Sequence, residues 1–352
     1  MRATPEGLEV VLAALRERLV QACCDVPPRC VPRVSEVQRH EQDRVFRVSF
    51  HAAPGLTHGF YAKFYNSAPI GSMSARDCAQ NEYHALELLQ RRLIGVAPRI
   101  TAPRPVLHFP KYACVVTEEC AGTTLFRLMR LKANLLGTRS ARAVASLEHA
   151  VRLYAEWLSV LQGVVRCRGQ SYHVDELSGR FEQSLRFCLE QGYVRPATAE
   201  GLGRLARHCL EHMGACRHES VAAQMDAHPL NLLVTPQGIC VFDFPNFGYG
   251  HQYHDIANFW WGLDIRRPLV DQAMVSRLRS LFLEEVRRRL SLDNVLLAFF
   301  LMSSVVEYAR KIALRAQPVR AQSLLSNRLL ALSYCRFLDR VATVAEEQVA
   351  AD

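Results

Sequence analysis

The sequence predicts an α+β protein in two lobes, a small β-rich lobe followed by a larger and mostly helical one. Three observations predict it. The chain has 352 residues, about twice a typical domain of roughly 150, which favours two domains or lobes. The first third shows mainly the period-2 alternation of strands, whereas apolar residues after Gly122 recur at helical spacing. One compact non-helical block, Val221 to Gly250, interrupts the helical part. With 49% hydrophobic and 22% charged residues, disordered and collagen-like architectures are excluded. A chain of this length buries a core without disulfide or metal staples.

The elements follow in order. Residues 1–25 mix Glu6, Glu9 and Glu17 with apolar residues and read as an amphipathic N-terminal helix, not a signal peptide. Pro27, Pro28 and Pro32 form a joint. Alternation between Val34 and Phe50 (Phe46, Val48 and Phe50 against Val45, Arg47 and Ser49) predicts two strands. A third runs from Gly59 to Phe64 after the turn-like Ala53-Pro54-Gly55. Ala79, Tyr83, Leu86, Leu89 and Leu93 predict a helix over 74–93. Pro98, Pro103 and Pro105 mark a short linking stretch. The apolar run Ala113 to Thr117 reads as a central strand, and Glu118 to Gly122 as the boundary between lobes. The expected division is an N-terminal helix (1–25), an N-lobe (26–118) and a helical C-lobe (119–352). Helices are predicted over 124–136, 140–166, 175–191, 197–216, 269–290, 293–316 and 321–347.

Charge and cysteine usage narrow the partners. The 43 Lys+Arg against 34 Asp+Glu give +9, a mild surplus that favours anionic ligands without choosing among them. No run of five basic residues occurs, Arg287-Arg288-Arg289 reads as a solvated helix face, and nucleic acid is not an expected partner. The longest apolar run, Val295 to Val306, is bounded by Asp293 and Glu307 and falls well short of the about 20 residues a membrane span needs. No transmembrane segment is therefore expected, and peripheral contact with an anionic surface stays open. The 12 cysteines include no C-x-x-C and no Cys/His spacing of the zinc type. They read as free thiols in apolar contexts, which suits the cytoplasm.

The chemistry concentrates in Gln224-Met225-Asp226-Ala227-His228-Pro229-Leu230-Asn231, followed by Leu232 to Val234, a turn, and Ile239 to Phe244 with Asp243 near its end. This reads as a hairpin presenting three oxygen-bearing side chains on one side. Phosphoryl transfer needs such a set: a carboxylate, Asp226, beside the attacking hydroxyl, with Asn231 and Asp243 to hold Mg2+ against the phosphates. His228 reads as a structural histidine bonded to backbone, and Asp255 as a helix cap or loop brace. Trp260-Trp261 reads as core. Lysine is rare here; Lys63, Lys111, Lys132 and Lys311 are the full set. Lys63 would leave the small lobe's core face if Ala62 and Phe64 occupy it, and it reads as a phosphate-binding ammonium. Its partner is Glu82, with Glu87 on the same helix as the alternative.

In these residues the sequence resembles the aminoglycoside phosphotransferase and choline kinase branch of the protein-kinase-like fold. Asp226, His228-Pro229, Asn231 and Asp243-Phe244 match its H-G-D-x-x-x-x-N motif and Asp-Phe pair, and Gly250 with Asp255-Ile256-Ala257 matches the stretch that follows. Upstream, Lys63, Glu82, the strand ending at Glu118 and Gly122-x-x-Leu125 come in the branch's order. The matching stretches span residues 34 to 262. The resemblance implies a small antiparallel-sheet N-lobe, a mostly helical C-lobe, and ATP bound between them with adenine on the hinge backbone of Glu118, Glu119 and Cys120. It implies an ATP- and Mg2+-dependent phosphotransferase acting on a small-molecule hydroxyl.

Three departures bear on this. Gln224-Met225 stands in place of His-Gly, the connection Arg39 to Arg44 holds no glycine, and Pro245 stands where an acidic residue is frequent. They leave one alternative, a catalytically silent module that binds nucleotide or a partner; the basic balance leaves a second, a kinase of protein or glycolipid. The acidic residues Asp264, Asp271, Glu284, Glu285 and Glu307 are scattered among arginines. That distribution favours a sugar, amino alcohol or anionic metabolite over a polycationic antibiotic as acceptor.

Overall fold

The computed structural model describes residues 7–22, 30–39, 43–53, 56–66, 73–93, 95–132, 141–164, 166–264, 272–316, 338–339, 341–347 and 349–350. The chain forms two compact units, Met1–Thr124 with Asn231–Phe247, and Leu125–Leu230 with Gly248–Asp352.

The first unit is built on an antiparallel five-stranded sheet. Its strands are β1 (Arg33–Arg39), β2 (Asp43–Ala53), β3 (Leu56–Tyr65), β5 (Pro105–Phe109) and β6 (Cys114–Glu118), in the order β1-β2-β3-β6-β5. Strand alternation decides what each face does. Phe46, Val48 and Phe50 of β2, Phe60, Ala62 and Phe64 of β3, and Cys114 and Val116 of β6 are buried in one cluster. The helix α1 (Leu8–Ala22) adds Leu8, Val11, Leu15 and Leu19, a stripe at helical spacing, to that cluster. The helix expected to stand apart at residues 1–25 is thus part of this unit's core.

The other face of the sheet carries Val45, Tyr61, Lys63, Val115 and Thr117, all of which line a cavity of about 270 Å3. The helix α2 (Ala75–Leu93) contributes Glu82 and Leu86 to the same cavity.

A second sheet in this unit joins distant segments. Its strands are β4 (Ile100–Thr101), β7 (Thr123–Thr124), β10 (Leu232–Val234) and β11 (Ile239–Val241), in the order β4-β11-β10-β7. Ile239 pairs with Ile100, and Leu233 with Thr124. These pairings place the hairpin 231–247, expected in the helical lobe, with the β-rich unit. The stretch read as a link around Pro103 and Pro105 is also stranded. Pro105 opens β5, and β5 is an edge strand, the place where a residue without an N–H is tolerated.

The second unit is mostly helical, as the spacing predicts: α3 (Leu125–Lys132), α4 (Ala141–Val164), α5 (Val174–Glu190), α6 (Pro196–Ala215), α7 (Gln252–Gly262), α8 (Gln272–Arg289) and α9 (Asn294–Ala316). The apolar run 295–306 lies in α9, which packs against α5, α6 and α7 and buries Leu297, Phe299, Met302, Val305 and Val306. A helix apolar on most sides is explained by neighbours on most sides. Among the described residues no helix is long and apolar enough to cross a membrane. Strands β8 (Arg166–Ser171), β9 (Arg217–Ala223) and β12 (Gly248–His251) form a third sheet, ordered β12-β9-β8. The predicted helix over 321–347 lies largely outside the described residues.

Candidate active site

The first unit gathers an ionic cluster on its cavity side. Ala62 and Phe64 point into the core, so Lys63 between them emerges on the opposite face of β3. Its ammonium donates to Asp243 Oδ1 and lies 3.4 Å from Glu82 Oε2 and 4.0 Å from Asp43 Oδ2. It also sits 4.7 Å from the centre of the Tyr65 ring. Burial alone would lower the Lys63 pKa, but Asp243 and Glu82, then Tyr65 and Asp43, outweigh it and hold the ammonium well above its ordinary value.

Glu82 takes the position for which Glu87 was the alternative. Glu87 pairs instead with Arg91, at 4.0 Å. Burial pushes the Glu82 carboxyl up and the Lys63 charge pulls it back. Its two oxygens are divided: Oε2 accepts from the Tyr65 hydroxyl, and Oε1 accepts the Phe244 N–H at 3.3 Å. One carboxylate therefore ties α2 to β3 and to the Asp243-Phe244 backbone. Asn81, one residue earlier, donates to the Pro245 and Phe247 carbonyls at 2.8 and 2.7 Å. Asp243 itself has φ +72°, the left-handed conformation that Asp tolerates better than most residues.

Asn231 belongs to the same unit and is buried at 6% exposure. Its carbonyl accepts the Phe242 N–H at 3.1 Å, which fixes the start of the hairpin against its end. Of the three expected hinge residues, Glu118 and Cys120 line the cavity. The Glu119 carboxylate turns to Arg47 Nε at 2.8 Å and that of Glu118 to Arg104 at 2.9 Å. The Glu118 N–H is committed to the Arg104 carbonyl and the Glu119 N–H to that of Gly59, each at 2.9 Å.

The second unit holds the loop with Asp226, whose side chain is 44% exposed. His228 presents Nε2 to Asp226 Oδ1 at 3.5 Å, while its Nδ1 accepts the Leu230 N–H at 3.3 Å. That acceptor role leaves the proton of the neutral ring on Nε2, facing the carboxylate.

Gln224-Met225, in place of His-Gly, is accommodated by its neighbours. Met225 has φ +66°, the region a glycine would occupy freely. Asp255, in the first turn of α7, accepts the Gln224 N–H at 2.6 Å and the Met225 N–H at 2.9 Å, one on each oxygen. The fully buried Gln224 accepts from the Tyr154 hydroxyl at 3.3 Å. Asp255 is thus a loop brace. At the far end of α7, a Cβ on Gly262 would lie 2.9 Å from Pro229 Cδ and 3.0 Å from His228 Cβ, so the loop approaches closely because that residue is glycine.

Sequence reasoning missed Asp43, Tyr65, Asn81 and Tyr154. Period-2 alternation carried a signal for the first two, since Asp43, Val45, Lys63 and Tyr65 share a face. Asn81 and Tyr154 meet their partners only through the fold.

Residues 34–290 match the model of the phosphotransferase enzyme family known as APH. Among curated proteins none matches the chain significantly. A glucosamine kinase solved with glucosamine, ADP and inorganic phosphate is 15% identical and superposes with a TM-score of 0.56, covering 99% of this chain and 84% of its own. A thermostable mutant of the aminoglycoside phosphotransferase APH(4)-Ia, solved with AMP-PNP and hygromycin B, is 14% identical at a TM-score of 0.52, covering 96% and 100%. Choline kinase from Cryptosporidium parvum Iowa II is 14% identical at 0.51, covering 97% and 95%. At such identities the structural likenesses speak for the fold, a two-lobed kinase-like one with an antiparallel-sheet N-lobe. The family match extends over most of the chain and carries the assignment: this protein is a kinase of the phosphotransferase enzyme family.

Proposed function

We propose that the chain transfers the γ-phosphoryl group of ATP, with Mg2+, to a hydroxyl of a small molecule. The observation that carries this reading is Lys63, held between Glu82 and Asp243 on the cavity side of the sheet. Three carboxylates around one ammonium leave an excess of negative charge that a divalent cation would offset. Asn231 and Asp243 offer the hard oxygen donors such an ion prefers. Mg2+, when bound, supplies charge neutralisation to the phosphates. Val45, Val115, Leu233 and Phe242 give the same cavity apolar walls suited to a nucleobase, with the Cys120 backbone as its partner.

In this reading Lys63 binds phosphate oxygens as a compact point charge, and Glu82 fixes its position. Asp226, oriented by His228, accepts the hydroxyl proton of the acceptor. The bracing of Gln224 and Met225 by Asp255 supports an active loop over a silent one.

The acidic residues considered for an acceptor pocket are engaged elsewhere. Asp264 pairs with Arg279, Glu284 with Arg288, and Glu285 with Arg152 and Arg288. Glu307 accepts from Ser303, and Asp271 lies outside the described residues. This supports a sugar, amino alcohol or anionic metabolite over a polycation. The eight cysteines described as free fit a cytoplasmic setting.

The test is a thermal shift with Mg-ATP, followed by an ATP-consumption screen across hydroxyl-bearing metabolites. Stabilisation by Mg-ATP and turnover with at least one acceptor are expected. In Asp226→Asn, turnover should fall about a hundred- to ten-thousand-fold with nucleotide binding retained. A variant that keeps wild-type turnover would sink the role given to Asp226.

A further inference from the structure

A second constellation lies in the helical unit and shares no residue with the candidate active site. His212 sits in the last turn of α6, Cys216 follows that helix as its C-terminal cap, and Asp293 immediately precedes α9. One ligand atom from each lies within 4.8 Å of the other two. His212 Nε2 is 2.7 Å from Asp293 Oδ2 and 3.6 Å from Cys216 Sγ.

The geometry excludes a thiol–imidazole–carboxylate relay. A relay uses the two ring nitrogens separately, one for the nucleophile and one for the carboxylate. Here the thiol and the carboxylate both address Nε2. If Nε2 carries a proton, that proton can satisfy one of them; if it carries a lone pair, it faces a carboxylate lone pair. Three such ligand atoms within 4.8 Å of one another suit a cation better than a relay.

The backbone at Cys216 and Asp293 is hydrogen-bonded. The Cys216 N–H donates to the Met213 carbonyl at 3.1 Å. Asp293 Oδ1 caps α9 by accepting the Leu296 N–H at 2.9 Å, and the Asp293 N–H donates to the Tyr253 hydroxyl at 3.1 Å. One carboxylate oxygen is therefore spent on the helix cap while the other is aimed at His212.

We propose that His212, Cys216 and Asp293 form a Zn2+ site, with water in the fourth position, that fastens the end of α6 to the start of α9. Sulfur, imidazole and carboxylate donors suit Zn2+ and disfavour the oxygen-seeking Mg2+ and Ca2+. Zinc bonds of about 2.0–2.3 Å set ligand–ligand separations of roughly 3.3–3.7 Å in a tetrahedron. The His212–Cys216 contact of 3.6 Å already falls in that range, and the His212–Asp293 contact of 2.7 Å would have to lengthen. His212, in the last turn of α6, and Cys216, the cap four residues on, bring their side chains together at the helix end. The third ligand is remote in sequence, which is why linear spacing gives no zinc signal.

The test uses the full chain, reduced and stripped with a chelator, then titrated with Co2+ and with Zn2+. Expected are saturation by one specific equivalent, a thiolate-to-cobalt charge-transfer band with tetrahedral d–d bands, and a rise of about 2–4 °C in Tm with Zn2+. Cys216→Ser should abolish the charge-transfer band. Asp293→Asn keeps a competent helix cap and should weaken Zn2+ binding at least about tenfold, the loss seen even for outer-shell partners. Absence of the band in the wild type, or its persistence in Cys216→Ser, overturns the proposal. If Cys216→Ser fails to reach the wild-type far-UV circular dichroism, His212→Gln carries the comparison, and unchanged Co2+ affinity in it overturns the proposal equally.

Discussion

Met225 holds a left-handed backbone at φ +66°, a conformation that costs a residue bearing a Cβ roughly 1–2 kcal/mol. The Asp255 carboxylate stabilises it by accepting the N–H groups of Gln224 and Met225. Gly250 accommodates the side chain, since a Cβ there would lie 3.2 Å from the Met225 sulfur. Met225→Gly should therefore fold and turn over at least as well as the wild type, because relieved strain offsets the added freedom of glycine. Met225→Val, branched at Cβ, should lose at least about 1 kcal/mol of stability. Asp255→Ala strands the buried Gln224 N–H at about 1–3 kcal/mol and the part-buried Met225 N–H at less, and urea titration with steady-state kinetics checks all three variants. At Lys63 the demand is for a compact charge. The ammonium lies in contact with Asp243 and 3.4 Å from Glu82, and a longer planar guanidinium would displace one of them. Lys63→Arg should cost at least about tenfold in kcat, equivalent to about 1.4 kcal/mol. Wild-type kinetics would return Lys63 to the status of an ordinary strand residue.

Helix α1 shows how an element can be legible in kind and illegible in place. Its amphipathic pattern is clear from the sequence, but nothing local says that Leu8, Val11, Leu15 and Leu19 complete the core of the five-stranded sheet. Leu15 is fully buried, so Leu15→Ala should destabilise by about 2–5 kcal/mol; a loss below 1 kcal/mol in chemical denaturation would mean the helix is dispensable. Strands β2 and β3 were legible because one face is core and the other is not, which is the condition for clean alternation. β5 was hidden by prolines that an edge position tolerates, and β4 by its brevity and its parallel pairing with residues about 140 positions away. The same distinction runs through the site. Lys63, Glu82, Asn231 and Asp243 were legible as residue types in a characteristic order. Tyr154, Asn81 and the His212–Cys216–Asp293 cluster depend on contacts between segments far apart in sequence, for which no local pattern exists.

At the scale of the molecule, the three tryptophans, Trp157, Trp260 and Trp261, all belong to the helical unit. Their fluorescence therefore reports the stability of that unit. It also contains a histidine cluster on the β9–β12 side: the ring centroids of His218 and His251 lie 4.6 Å apart, and Tyr172 packs against both. Burial, then His218, His254 and His173, lower the His251 pKa from 6.5 to about 4. Among the described residues, no hydrogen-bond partner reaches the buried His251 Nδ1. The sign follows from linkage. Between about pH 4 and 6.5 the unfolded chain binds a proton at this position that the folded chain does not, so stability rises with pH across the window and is lost on acidification. The full contribution is present above pH 6.5 and amounts to no more than about 3 kcal/mol, at a slope of up to about 1.4 kcal/mol per pH unit. Between pH 5 and 6.5, before most carboxylates titrate, urea titrations followed by tryptophan fluorescence should show this slope. His251→Gln removes the titrating ring but keeps a polar side chain of similar reach, and should flatten the slope in that interval. An unchanged slope in the variant would place the acid sensitivity of the helical unit on groups other than His251.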